Sequence, residues 1–349
     1  MKSDTFTFTI PPERIAQLPA ERRDASRLMV VRRGSGVIEH CRFADLPALL
    51  RPHDLLLLNN TKVRPCRLYA TRASGGRVEV FLLRSLDNGA FEALTNAGGK
   101  LEAGEVLSLP EATVTLMERD AYGPGHWRVR LDTSMDAAEY LHAHGKMPLP
   151  QYIERAKGPD DRDALDRERY QSVFAEAEGA VAAPTASLHF TPAILDACEA
   201  RGITRAFVTL HVGPGTFRPL KAETLAGHDM HAESYSVPPK TTAAVSACRA
   251  TGGRVVCVGT TATRTLETVA DERGVPRAGT GETRLFIHPP WRWRACDALL
   301  TNFHLPRSTL IFLVAAWLGV ELTRQAYESA LENDYRFFSY GDAMLCLPE

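Results

Sequence analysis

Five histidines stand where apolar runs give way to glycine, proline and hydroxyl residues: His189, His211, His228, His231 and His304. Histidine titrates near neutral pH, so these are candidates for acid and base work. His189 lies in Pro184-Thr185-Ala186-Ser187-Leu188-His189-Phe190-Thr191, just ahead of an expected helix. Free N–H groups at a helix start favour an anion, so this histidine faces either a ligand or a buried partner beside a cap. His211 ends an apolar run and leads into Val212-Gly213-Pro214-Gly215-Thr216-Phe217. Gly213 and Gly215 let the backbone come close to a ligand, with Thr216 beside them, or they simply make a tight turn. The pattern lacks the third glycine of a dinucleotide fingerprint.

His228-Asp229-Met230-His231-Ala232-Glu233 places two histidines near a carboxylate, a set that could hold a metal. It is not the H-E-x-x-H pattern and no cysteine joins it, so acid/base or substrate-binding work is the better reading, with Glu233 fixing one histidine tautomer. Val258-Gly259-Thr260-Thr261-Ala262-Thr263-Arg264 runs from a strand through a glycine into hydroxyl residues that open a helix. Gly259, Thr260 and Thr261 would cradle a carboxylate or phosphate, or merely cap the helix. The P-loop lysine is missing. Thr301-Asn302-Phe303-His304 again follows an apolar strand, which places Asn302 and His304 at its end. Tyr335-Arg336-Phe337-Phe338-Ser339-Tyr340 interleaves aromatics with an arginine; such rings stack on bases or fill a core.

These loops need strands and helices to hold them. Asp54–Leu58 reads as a buried strand running into Asn59-Asn60. From about Arg67 to Asp132 the segments turn short and alternating, as in Arg77–Leu83, Thr113–Met117 and His126–Leu131, which suggests a small barrel or sandwich. Asp136–His144 reads as a helix, and 151–180 as a charged connection or surface helix. Beyond it, strands and helices alternate: helix 192–201 capped by Thr191, strand 206–210, helix 240–250, strand 254–258, helix 263–273, strand 284–287, and helices 308–318 and 323–331. This pattern predicts an α/β fold: a layered α/β main domain, residues 1–64 and 151–349, with an inserted small β-barrel domain, residues 65–150.

The composition fits a globular chain of two domains. Of 349 residues, 44% are hydrophobic and 24% charged, which excludes a disordered or fibrous chain. No apolar run reaches the ~18 residues of a membrane span, and Met1–Ile10 lacks the pattern of a signal peptide. The expectation is a cytoplasmic protein with no membrane association. The seven cysteines stand singly, which suits reduced thiols and argues against a zinc site. With 41 basic and 42 acidic residues the chain is not globally basic, so any nucleic-acid contact must be a local patch.

Taken together, Leu57–Val63, Gly179–Ala186, Thr209–Phe217, Gly227–His231, Val258–Leu266, Leu300–Leu310 and Tyr335–Met344 resemble the S-adenosylmethionine:tRNA ribosyltransferase-isomerases of queuosine biosynthesis. The resemblance runs from Pro11 to the C-terminus. The chain departs from the family pattern at Lys62, usually arginine, at Ser187, usually glycine, and at Pro290, usually glycine. The resemblance implies an α/β domain with an inserted barrel. It implies a tRNA substrate with a GUN-type anticodon that carries 7-aminomethyl-7-deazaguanine at the wobble position. S-adenosylmethionine is then consumed as ribosyl donor, adenine and methionine leave, and the base becomes epoxyqueuosine. No metal is required, and a monomer is expected. A sulfonium acidifies the adjacent 5′ C–H, adenine leaves more easily when protonated, and the attacking amine must be neutral. At least one general base and one general acid are therefore needed.

The catalytic candidates are His189, His211, His228, His231, Glu233 and His304. The substrate-binding candidates are Gly213, Gly215, Thr216, Gly259, Thr260, Thr261, Arg264, Asn302, Asn59 and Thr61, with the methionine carboxylate expected at 259–261. Arg64, Arg67, Arg292, Arg294 and Arg336 are candidate RNA phosphate contacts, Arg264 a further one. A tRNA-binding protein that has lost the chemistry would bind RNA without consuming S-adenosylmethionine. A Rossmann-type methyltransferase would show an early strand and a G-x-G loop, which the first 60 residues lack.

Overall fold

The computed structural model describes residues 1–349 except 157–159, 218–219 and 221, and omits the side chains of 216 and 217. The chain divides into two units. The larger comprises Met1–Lys62, Gln171–Ala177 and Ala183–Glu349; the smaller comprises Val63–Tyr170 and Glu178–Ala182.

The larger unit is built on a nine-stranded sheet. In chain order its strands are β1 (Arg27–Arg32), β2 (Ile38–Arg42), β3 (Leu55–Asn59), β4 (Thr204–Leu210), β5 (Glu233–Val237), β6 (Val255–Val258), β7 (Gly279–Thr283), β8 (Ala298–Asn302) and β9 (Ala343–Leu347). Their order across the sheet is β7-β5-β4-β3-β6-β8-β9-β1-β2. The central strands β4, β3, β6 and β8 are mutually parallel. Such strands are buried on both faces, which is why Leu55–Leu58 reads as an unbroken apolar run. Its longer helices are α1 (Pro192–Ala200), α2 (Pro239–Ala250), α3 (Gly259–Val269), α4 (Thr309–Leu318) and α5 (Val320–Glu332). Thr191 caps α1 by accepting from the Ile194 N–H at 3.2 Å. One face of the sheet, with Leu56, Leu58, Val256, Val258 and Leu300, packs on Phe190 and on Ile194 and Cys198 of α1. At the opening of β3 and β6, buried Asp54 accepts from the Arg254 backbone N–H at 3.0 Å and from its guanidinium, which pins the two strands together.

The smaller unit is a closed six-stranded antiparallel barrel. Its inward residues include Val78, Val80, Leu82, Val114, Leu116, Val129 and Leu131, the alternate positions of the strands read from the sequence. The expected fold class, mixed α/β with a small barrel, is the one observed. In the stretch 151–170, placed with the larger domain on sequence texture, the described residues group with the barrel unit; Arg155 pairs with Asp166 at 2.7 Å and Lys146 with Asp163 at 2.8 Å.

Two element boundaries near the site differ from the expectation. The helix expected over 263–273 runs from Gly259 to Val269, because Gly259 adopts a φ of +86° and turns the chain straight from β6 into α3. The strand expected over 284–287 lies at Gly279–Thr283 instead. Beyond Thr283 the backbone is held by side chains: the Thr283 hydroxyl accepts from Leu285 N–H at 3.1 Å, and Arg264 Nε donates to Leu285 O at 2.9 Å.

Candidate functional site

The carboxyl ends of the four parallel strands lead into Asn59-Asn60-Thr61, His211-Val212-Gly213, Gly259-Thr260-Thr261 and Asn302-Phe303-His304. The chain passes from β3 to β4 on one side and later returns to β6 on the other. Loops at such a reversal diverge and leave room for a ligand.

Asn59 ties three of these loops. It is fully buried. Its Oδ1 accepts from the N–H groups of Thr61 (3.1 Å) and Leu210 (3.0 Å), and its Nδ2 donates to Leu210 O (3.0 Å) and Thr261 Oγ1 (3.1 Å). Every polar position of that amide is used, so Asn59 is a positioning group. Beside it, Thr61 Oγ1 meets His211 Nδ1 at 2.8 Å and orients a half-buried imidazole.

A charged cluster lies one turn into α3. Glu233 and Arg264, with side chains 1% and 4% exposed, form an ion pair through Glu233 Oε2 and Arg264 Nη1. Glu233 Oε1 accepts from the Gly213 N–H at 2.9 Å and lies 3.4 Å from His231 Nε2. Burial alone would raise this carboxyl, but the His231 ring, the Arg264 charge and the Gly213 N–H outweigh it and hold it at about 2. Gly215 backs onto His231 so closely that a Cβ there would lie 2.6 Å from the ring. His228 packs edge-on against Phe286, and burial followed by the nearby His231 lowers its pKa.

The other two histidines are interior. His189 Nδ1 bonds Ser26 Oγ at 2.8 Å, its Nε2 lies 3.3 Å from Asn302 Nδ2, and its ring stacks on Phe43. Because the amide nitrogen is a donor, Nε2 accepts and Nδ1 carries the proton. His304 Nε2 bonds Thr301 Oγ1 at 2.8 Å, and the His304 backbone N–H donates to the Tyr327 hydroxyl at 2.8 Å. Burial depresses both imidazoles to about 3. At neutral pH each is an uncharged, weakly basic hydrogen-bonding group. Thr260, Thr261, Thr301 and His304 line a narrow pocket with Thr185 and Ala186, about 320 Å³ of empty space counting its mouth.

The remaining candidates divide. Thr216 lies outside the described side chains. Arg64 and Arg67 belong to the barrel unit and are spent there: Arg64 donates to Leu83 O and Ser85 Oγ, and Arg67 to Leu149 O while it pairs with Glu79. Arg292 is exposed. Arg294 donates to Ala270 O at the far end of α3, ~16 Å along the helix from Gly259. Arg336 is half-buried and donates to Leu18 O. The rings around it do not present stacking faces: Tyr335, Phe337, Phe338 and Tyr340 are all buried, because this segment packs on Phe303 and Tyr327. The metal reading of 228–233 finds no support, since Asp229 points to solvent and Glu233 is bound to Arg264. Among the described residues no group of three or more His, Cys, Asp or Glu could hold a metal. Ser26, Phe43 and Tyr327 support the site and carry no motif that sequence reading could have found.

The sequence pattern of a family described as "Queuosine biosynthesis protein" matches residues 3–346. An S-adenosylmethionine:tRNA ribosyltransferase-isomerase of Anaeromyxobacter sp. is 50% identical over 99% of this chain and 99% of its own length. One of Trichlorobacter lovleyi is 46% identical over 97% of this chain and 98% of its own. The crystal structure of S-adenosylmethionine tRNA ribosyltransferase from Thermotoga maritima is 36% identical, covers 98% of this chain and all of its own, and superposes with a TM-score of 0.56.

Proposed function

The chain belongs to the queuosine biosynthesis family of S-adenosylmethionine:tRNA ribosyltransferase-isomerases, and on that premise we propose that it acts on tRNA with 7-aminomethyl-7-deazaguanine at the wobble position of a GUN anticodon. It consumes S-adenosylmethionine as ribosyl donor and leaves epoxyqueuosine, adenine and methionine. The observation that carries the reading is the convergence of hydrogen-bonded polar loops at the ends of four adjacent parallel strands.

The proposed division of labour follows from exposure and charge. His211, His228 and His231 are half-buried and reach solvent, so they form the pool of proton-transfer groups. A base among them takes the proton made acidic by the sulfonium, and an acid among them protonates the departing adenine; each is worth roughly 10²–10⁴-fold. His189, His304, Asn59 and Asn302 position the loops. The opening of α3 at Gly259-Thr260-Thr261 is the proposed seat of the methionine carboxylate, where free N–H groups meet a negative charge. A target base in the single-stranded anticodon loop can be splayed out without breaking a duplex. We further propose that the protein works as a monomer in the cytoplasm and needs no metal.

The test combines purified protein, S-adenosylmethionine and an anticodon stem-loop carrying the aminomethyl base, with small molecules and digested RNA read by mass spectrometry. Adenine and methionine should appear together with an epoxycyclopentanediol adduct on the base. Intact S-adenosylmethionine with the stem-loop bound would replace this reading with one of RNA binding alone.

A further inference from the structure

The loop between β4 and β5 runs from His211 to Ala232, and it carries His228 and His231. A connection this long inside a packed unit needs anchors if its side chains are to hold a fixed geometry. One anchor is the Leu220 N–H, which donates to Arg307 O at 2.8 Å. Another comes from the first residues of the sequence. Lys2 forms an antiparallel bridge with Thr224. Ser3 N–H donates to Glu223 O at 2.9 Å, and Leu225 N–H donates to Met1 O at 3.1 Å. The Ser3 hydroxyl also donates to Glu223 O, and the side chain is buried. These bonds end at the 3₁₀ turn Leu225–Gly227, whose next residue is His228.

The same segment then reaches a second part of the site. Phe6, 3% exposed, packs edge-on against Phe312 of α4 at 5.4 Å between ring centres. Phe8 packs against the Tyr327 ring at 5.2 Å. Tyr327 is the residue whose hydroxyl accepts the backbone N–H of His304. One short stretch therefore touches the backbone that presents His228 and the ring that holds the His304 loop.

We propose that Lys2–Phe8 is a positioning strap for the reaction, which fixes the His228 and His304 loops relative to each other. The inference rests on the proposed function, in which both histidines belong to the site. An arm that served only stability would not need to spend its backbone bonds on the loop that bears reacting groups. The strap contributes no reacting atom. Its loss should therefore alter turnover and loop order, and leave the chemistry of each histidine intact.

The test uses the full chain with Ser3→Pro, which removes the N–H that bonds Glu223, and with Phe8→Ala and Phe8→Leu. Steady-state kinetics with S-adenosylmethionine and the modified stem-loop are read beside amide hydrogen exchange over 223–231. Ser3→Pro should raise exchange over 223–231 about 10-fold and lower kcat about 10-fold, as expected when loop opening becomes easier and groups drift from register. Phe8→Ala should lower kcat similarly, and Phe8→Leu, which keeps the apolar contact, should restore it to within about two-fold. A lower melting temperature with kcat and KM unchanged in both Ser3→Pro and Phe8→Ala would overturn the strap and leave a merely structural arm. Unchanged exchange over 223–231 in Ser3→Pro would overturn it equally, and Phe8→Ala decides the matter if Ser3→Pro does not fold. Failure of the unsubstituted protein to turn over would instead refute the proposed function, and the exchange measurement would still judge the strap.

Discussion

Removing the charge of Glu233 should cost far more than the loss of one hydrogen bond. Its two oxygens face different donors: Oε1 faces the Gly213 N–H and the His231 ring, and Oε2 faces Arg264. A glutamine in its place must turn its NH₂ group toward one of these donors, whichever way the amide flips. The Arg264 guanidinium, 4% exposed, then stays buried without a counter-charge. Leaving one partner of such a pair alone costs about 3–5 kcal/mol, a large part of a domain's ~5–15 kcal/mol. Arg264→Met alone strands the carboxylate and should cost a similar amount. The double variant Glu233→Gln/Arg264→Met removes both charges and should recover about 2–4 kcal/mol of the summed loss. Urea unfolding measures this in a Trp127→Phe background. Trp127 lies in the barrel core, so the remaining Trp291, Trp293 and Trp317 report on the larger unit. Single-variant losses that add to the double within about 0.5 kcal/mol would refute the argument that the two charges are held by each other.

Further outcomes follow from the same geometry. His189 and His304 hold folded pKa values near 3, below the ordinary value of 6.5, so their neutral forms favour folding above pH 6.5 and that contribution is lost as pH falls from 6.5 toward 3. Each should give a slope of ~1.4 kcal/mol per pH unit in that window, and His189→Gln should remove one of the two; urea midpoints between pH 7 and 5 that do not move would contradict the burial. Gly259→Ala forces a φ of +86° on a residue with a Cβ, so it should cost about 1–2 kcal/mol and misalign the start of α3, read as a rise in KM for S-adenosylmethionine. Asn59→Ala leaves the Thr61 and Leu210 N–H groups without their acceptor and should cost about 2–4 kcal/mol with kcat reduced; an unchanged urea midpoint would show that the amide ties nothing together. Gly215→Ala should displace the His231 ring and shift the pH–rate profile; a profile superimposable on that of the parent would deny His231 a part in proton transfer.

Much of this was legible in the residues. Parallel strands buried on both faces leave continuous apolar runs, so Leu55–Leu58 and Val255–Val258 were visible, and each ended in the polar turn that the site uses. Barrel strands alternate with period two, and His126–Leu131 did so plainly. A start signal also served: Thr191 caps its helix by accepting from a backbone N–H group. The start of α3 was placed four residues late because its first turn is set by the positive φ of a glycine, which looks like a loop residue in one dimension. The strand Glu233–Val237 was missed because its neighbours in the sheet are distant in sequence and its burial alternates only weakly. The split of the histidines was equally hidden. Nothing near His189 announces Ser26 or Phe43, which lie 163 and 146 positions away.

That split is what gives the site its chemical logic. The proposed reaction needs one group that accepts a proton at neutral pH and another that delivers one. His189 and His304, depressed to about 3 by burial, fail the first requirement, because so weak a base is out of range of a proton transfer near pH 7. They meet a different need, since a neutral imidazole with a fixed tautomer can hold Asn302 or Thr301 without adding charge beside a cationic substrate. On the proposed mechanism, proton transfer then falls to His211, His228 and His231. Of these, His228 has its tendency to carry a proton lowered, first by burial and then by the nearby His231. Glu233 lies 3.4 Å from His231 Nε2, and the exposed Asp229 carboxylate acts on His228 in the opposite sense. The two histidines are held differently: Glu233 faces the His231 ring, and His228 packs edge-on against Phe286. The buried Arg264, with the His231 ring and the Gly213 N–H, keeps Glu233 charged, so a fixed negative charge stands beside the groups to which the proposed reaction gives proton transfer.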